Sequence, residues 1–138
     1  LDLFAGTGSI TLELLSRGCP LVVSVEKDRQ HFSFISAVLR KLNDPAARPY
    51  CGDALRFVAR CREQFDLIFA DPPYALPELP ELPDRVMQSS ALAPDGIFVL
   101  EHGARHDFSA RPDFLAHRAY GSVNFSFFRH PQVADEEE

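Results

Sequence analysis

The sequence predicts a doubly wound α/β domain: five parallel strands with helices between them, closed by a C-terminal antiparallel hairpin. Three observations carry this. The apolar run Leu1-Asp2-Leu3-Phe4 leads into the small, turn-forming run Ala5-Gly6-Thr7-Gly8-Ser9, and helical periodicity follows at once. Nearly all-apolar runs of strand length then alternate with stretches of helical spacing, as expected of parallel strands covered on both faces. The last two strand-like runs are separated by Gly121-Ser122-Val123 alone, too short for a crossover.

Taken in order, Leu1 to Phe4 is the first strand and Ile10 to Arg17 the first helix, with Gly18 as its stop. Leu21 to Val25 is an all-apolar strand but for Ser24, and it runs into Glu26-Lys27-Asp28. Phe32, Ile35, Leu39 and Leu42 share a helical face, which predicts a helix over about 29–42, ended by Asn43-Asp44-Pro45. Arg48 to Cys51 is a short strand, Ala54 to Cys61 a short helix and Phe65 to Ala70 the fourth strand. Prolines punctuate 72–83, so that stretch reads as irregular. Asp84 to Ala93 is expected to be helical. Pro94-Asp95-Gly96 then turns into the strand Ile97 to Leu100, and the hairpin strands are Leu115 to Tyr120 and Asn124 to Arg129.

With 138 residues, 46% of them hydrophobic and 25% charged, the chain suits one globular domain, here 1–130, with 131–138 as an acidic disordered tail ending Asp135-Glu136-Glu137-Glu138. No apolar run approaches the ~20 residues of a membrane span. The net charge of -6 argues against a general nucleic-acid binder, although the tail supplies part of it. Cys19, Cys51 and Cys61 are scattered and contain no Cys-x-x-Cys, which reads as reduced thiols in a cytoplasmic protein. The chain opens inside a strand and without methionine, so a native N-terminal segment is expected to be missing.

Folds of this kind bind ligands at the carboxyl ends of their strands, and four candidate groups fall there. The Gly6 and Gly8 turn allows close backbone approach at the N-terminus of a helix. Glu26 stands where a carboxylate can grip a ribose diol, and Asp53 where one can accept from an adenine amine. Asp71-Pro72-Pro73-Tyr74 follows the fourth strand. Its prolines fix the backbone, its carbonyls and the Asp71 carboxylate can accept from an exocyclic NH₂, and Tyr74 offers a stacking face. A dinucleotide dehydrogenase is disfavoured because Thr11 stands where G-x-G-x-x-G has its third glycine.

The run Phe4-Ala5-Gly6-Thr7-Gly8-Ser9, with Glu13 and Ser16-Arg17-Gly18 behind it, resembles the class I S-adenosylmethionine-dependent methyltransferases, as do Val25-Glu26-Lys27-Asp28 and Asp71-Pro72-Pro73-Tyr74. Within that class the chain is most similar to the RsmD-type family, which methylates the N2 amine of a guanine in bacterial 16S ribosomal RNA. The resemblance implies a Rossmann-like methyltransferase sheet and S-adenosylmethionine as cofactor. It implies cofactor contacts from Asp2, Phe4, Ala5, Gly6, Thr7, Gly8, Glu26, Lys27, Asp53, Ala54 and Asp71. Asp71, Pro72, Pro73 and Tyr74 would hold the target base, and no metal would be needed. The expected partner is ribosomal RNA in an assembling small subunit, bound by a monomer away from membranes. Family members carry a basic segment before the first strand with an Arg-Pro-Thr-like motif, and this chain begins after it. Adenine-N6 methylation and a non-catalytic binding module remain open beside guanine-N2 methylation, because the Asp-Pro-Pro-Tyr motif is shared with adenine-N6 enzymes.

Other residues carry plainer readings. His102, His106 and Asp107 hint at a metal, but no cysteine is near and a surface loop is the better reading, with Arg105 and Arg111 as candidates for RNA phosphate. Phe125, Phe127 and Phe128 read as strand packing. Neither Cys51 nor Cys61 has a motif that would make it a nucleophile, as cytosine-C5 chemistry requires.

Overall fold

The computed structural model describes residues 1–132; of the tail read over 131–138, residues 133–138 lie outside the described residues. Seven strands, β1 (Asp2–Leu3), β2 (Val22–Glu26), β3 (Ala47–Cys51), β4 (Phe65–Ala70), β5 (Leu92–His102), β6 (Phe114–Tyr120) and β7 (Val123–Phe128), form one sheet in the order β3-β2-β1-β4-β5-β7-β6. The first five are parallel, and β7 lies antiparallel between β5 and β6. The helices are α1 (Ser9–Ser16), α2 (Arg29–Leu42), α3 (Ala54–Arg60) and α4 (Leu82–Met87). The α/β class, the five parallel strands and the closing hairpin are as the sequence predicts.

Alternation along β2 explains the layering. Val23 and Val25 enter the larger core with Leu3, Ile68, Ala70, Phe98, Leu100 and Phe128, where α3 and α4 contribute Val58, Leu82 and Val86. Val22 points the other way, into a smaller cluster with Leu15 of α1 and Ile35 and Leu39 of α2. A strand buried on both faces has little need of polar residues, which is why β2 reads as an apolar run.

Three elements differ from expectation. Strand β1 stops at Leu3 because Phe4 turns to φ 58°, a left-handed conformation that ends pairing. The helix expected over 84–93 is α4, six residues long, beginning at Leu82 and preceded by a 3₁₀ turn over Leu79–Glu81. Pro80 and Pro83 occupy first-turn positions, where a missing N–H costs nothing, so the prolines start these turns rather than forbid them. Leu79, Leu82 and Val86 anchor the segment in the core. Strand β5 begins at Leu92, not Ile97. Phe65 pairs with Leu92 and Leu67 with Ile97, so two steps on β4 are matched by five on β5. The segment around Pro94-Asp95-Gly96 is therefore a bulge within the strand.

Helix α1 starts at Gly8, whose φ of 93° suits glycine alone, and a Cβ there would lie 2.7 Å from Ile35 Cδ1 and Cγ1. At Gly6, φ 59°, a Cβ would meet nothing within 4 Å. Gly8→Ala is expected to cost roughly 2–4 kcal/mol, combining left-handed strain with overpacking against Ile35. Gly6→Ala is expected to cost about 1–2 kcal/mol, from strain alone. Urea unfolding of both variants checks the order; equal losses would show that Ile35 does not constrain the turn.

Candidate active site

The carboxyl ends of β1 to β4 open into one cavity of about 940 Å³. Its floor is the turn after β1, with Phe4, Ala5, Gly6 and Thr7 exposed to it and Asp2 beneath. One wall carries Glu26 and Lys27 after β2 and Asp53 and Ala54 after β3. The opposite wall is Asp71, Pro72, Pro73 and Tyr74 after β4. Every residue expected to hold the cofactor or the target base lines this space except Gly8, which faces Ile35 instead. Gly8 shapes the turn; Gly6 is the glycine whose missing side chain leaves room in the cavity.

Glu26 is the clasp of the site. Its Oε1 accepts from the Gly6 N–H at 2.8 Å and its Oε2 from the Asp28 N–H at 2.7 Å. Each oxygen keeps a lone pair for a hydroxyl of a ligand. The Ala5 N–H donates to the Val25 carbonyl at 3.0 Å, so the turn is tied to β2 twice. Asp53 has a structural task as well: its Oδ2 caps α3 by accepting from the Arg56 N–H at 2.9 Å. Among the described residues its other oxygen has no such bond.

Beneath the turn lies a buried polar group. The Thr11 hydroxyl donates to Asp2 Oδ2 at 2.7 Å and touches Ser24 Oγ at 2.6 Å. Asp2 and Ser24 are paired in register across β1 and β2. Thr11, which marked the departure from the dinucleotide fingerprint, thus holds a carboxyl group under the cavity. Burial pushes Asp2 up to about 6, and the Thr11 hydrogen bond opposes that shift only in part.

On the far wall Pro72 is buried while Tyr74 is 44% exposed, leaving a ring face open to a ligand. Sequence reasoning missed Asp28, His31, Phe69 and Leu76, which also line the cavity. It missed Glu101 too, which follows Leu100 on β5 as Asp71 follows Ala70 on β4, so the two stand on neighbouring strand ends. No motif marks Glu101; only its place at the end of β5 could have suggested it.

Two surface readings are corrected. His102 is buried at the end of β5, with Nε2 2.7 Å from Ser126 Oγ and Nδ1 2.8 Å from the Gly103 carbonyl. Arg111 is no free phosphate ligand: it forks onto Asp113 at 2.9 Å through Nε and Nη2 and reaches Asp84 at 2.7 Å. Of the three phenylalanines only Phe128 is fully buried, while Phe125 and Phe127 are half-buried on the opposite face of the sheet.

Residues 1–129 match the family described as Conserved hypothetical protein 95. The chain belongs to this family. Among curated relatives it is 35% identical over 106 residues to "Putative rRNA methyltransferase YlbH" of Bacillus subtilis, an overlap of 74% of this chain and 58% of that protein. It is 30% identical over 101 residues to "Ribosomal RNA small subunit methyltransferase D" of Escherichia coli K12, covering 73% of this chain and 51% of the relative. The matches thus span about half the length of these two relatives, and 21% of a "Ribosomal RNA large subunit methyltransferase K/L" of Syntrophotalea carbinolica, 28% identical over 149 residues. Among solved structures, "Putative methyltransferase yhhF from Escherichia coli" superposes with a TM-score of 0.83 at 25% identity, over 95% of this chain and 75% of that one. The Rossmann-like methyltransferase sheet expected from the motifs is the fold this family member has.

Asp2 generates a stability prediction. Its folded-state pKa of about 6 lies above the unfolded value of about 3.9, so its favourable protonated form is fully present below pH 4 and is lost as pH rises through 6. Relative to Asp2→Asn, the wild type is expected to lose on the order of 3 kcal/mol between pH 4 and pH 7. Paired urea titrations across that range measure it. A difference that does not change with pH would exclude a buried, protonated Asp2.

Proposed function

We propose that residues 1–130 form the catalytic domain of an S-adenosylmethionine-dependent RNA methyltransferase of the cytoplasm, acting on the exocyclic N2 amine of a guanine in bacterial 16S ribosomal RNA. The observation that carries this reading is the single cavity that joins a glycine turn, two carboxylates on adjacent strand ends and a rigid Asp-Pro-Pro-Tyr wall. The names of the relatives, ribosomal RNA methyltransferases, supply the RNA. The narrower guanine-N2 assignment rests on the likeness of the Phe4 to Gly18 segment to the RsmD type.

The residues suit the cofactor. The open space at Gly6 admits a ligand against the backbone, the free lone pairs of Glu26 suit a ribose diol, and Asp53 has an oxygen left for an adenine amine. When bound, S-adenosylmethionine supplies an activated methyl group, whose S–C bonding pair stays on sulfur as the N–C bond forms. The work left to this chain is to aim and polarise the nucleophile. A guanine N2 lone pair is delocalised into its ring. Hydrogen bonds from N2–H to Asp71 and to a proline-segment carbonyl favour charge building on nitrogen and point its lone pair at the methyl group. Tyr74 holds the base flat, and the base must leave its helix or sit in an open loop to reach the wall.

Two outcomes are expected. Glu26→Ala should weaken S-adenosylmethionine binding by roughly 1.5–3 kcal/mol in calorimetry, since it removes a charged acceptor and unclasps Gly6 and Asp28 together; unchanged affinity would take Glu26 out of the site. Asp71→Asn should keep cofactor affinity but lose about 10²-fold in single-turnover transfer, roughly 2.7 kcal/mol. Nucleoside mass analysis of the methylated RNA decides between N2-methylguanosine and N6-methyladenosine, and N6-methyladenosine would replace the guanine assignment.

A further inference from the structure

Strand β5 brings a second carboxyl group to the catalytic wall. Ala70 and Leu100 are paired in register, so the next residues, Asp71 and Glu101, stand side by side at the ends of β4 and β5. By strand alternation both side chains leave the core face occupied by Ala70 and Leu100 and share the face of Phe69, which lines the cavity. The Ala70–Leu100 register thus sets the two carboxyl groups on neighbouring strand ends and on one face, and Asp71 is the chief cause of a raised Glu101. Two carboxylates side by side repel each other, so this placement favours one proton held between the pair. Tyr74 stands near the pair: its hydroxyl is pushed up by burial and by the negative charges of Glu101 and Asp71.

We propose that Glu101 is the positioning residue of the reaction. As a carboxylic acid it donates to one oxygen of Asp71, which leaves the other oxygen facing the cavity as acceptor for the substrate amine. This rests on the methyltransferase reading above and adds to it the group that orients Asp71. The proton balance is simple. The pair holds one proton before transfer. The methylated nitrogen then gives its proton to Asp71, and the pair returns it to water.

The surroundings suit the role. Glu101 is pushed up to about 7, first by the hydrogen bond to Asp71, then by burial, then by the charge of Asp71. On β7 the residue opposite Glu101 is the uncharged Phe125, and Arg118 lies beyond it on β6. From the loop after β4 come Asp71 and Tyr74. On the same strand, His102 points to the opposite face, where its ring bonds Ser126. Above about pH 7 Glu101 ionises, the donor is lost, and two like charges abut.

The test has one arm independent of transfer. In the ligand-free protein, carboxyl ¹³C NMR should show Glu101 titrating near pH 7, and falling well below that in Asp71→Asn while staying above the ordinary glutamate value of about 4.3, because its burial remains. A Glu101 that titrates near 4 in the wild type overturns the pairing, whatever the enzyme does. In single-turnover transfer with saturating cofactor, the wild-type rate should fall as pH rises through 7. E101Q keeps an N–H donor that cannot titrate; it should run two- to threefold below wild type at pH 6 and show no alkaline fall. E101A should lose tenfold or more at every pH with unchanged cofactor affinity. An alkaline fall that persists in E101Q, or an E101A rate equal to wild type, overturns the proposal. A wild type that transfers to no RNA while Glu101 still titrates near 7 sinks the functional reading and leaves the pair standing.

Discussion

The site depends on one carboxylate that joins two strand ends. Between Leu3 and Ser9 the chain takes positive φ at Phe4, Gly6 and Gly8, which no isolated turn would hold. Glu26 makes it hold. One oxygen fixes the Gly6 N–H and the other fixes the start of the segment that leads into α2. The same residue that a ligand would meet is therefore also the brace of the floor on which the ligand would lie. Binding and local stability share an atom set, so changes at Glu26 act on both.

A second economy appears in the layers beneath. Asp2, Thr11 and Ser24 form a buried polar knot directly under the turn, on the α1 side of the sheet. Hydroxyl and carboxyl groups there are costly unless paired, and each of these three is paired. The knot ties β1, β2 and α1 together at the point where the backbone is most strained. On the opposite wall the same device recurs in another form, as two neighbouring strand ends place Asp71 against Glu101.

Much of this was legible in the sequence, for reasons that differ by element. The β2 strand announces itself because both of its faces are buried, and α2 because Phe32, Ile35 and Leu39 follow a helical period. Asp71 to Tyr74 was visible because two prolines in series fix a backbone by themselves. What stayed hidden depended on contacts between distant residues. The role of Gly8 could not be read without knowing that Ile35 stands against it. Glu101 carries no motif, and its meaning comes only from the register of β4 against β5. The start of α4 was masked by prolines, which signal a break in an isolated stretch but a first turn when Leu79 and Leu82 are drawn into the core. Arg111 looked available because Asp84, its distant partner, is 27 residues away in sequence.

The bulge in β5 separates two demands on a single strand. Pairing shifts between Phe65 and Leu67 of β4, at the end of the sheet remote from the cavity, and is regular again from Ile97 to Leu100. A length difference entering from the α4 side would meet the bulge at Pro94-Asp95-Gly96 before it reached the strand tip. Insertions or deletions of a residue or two in that connection would lengthen or shorten the bulge while leaving Glu101 abreast of Asp71. The strand works as a slip joint at one end and a fixed mount at the other, so the underside of the domain is free to change length without moving the chemistry.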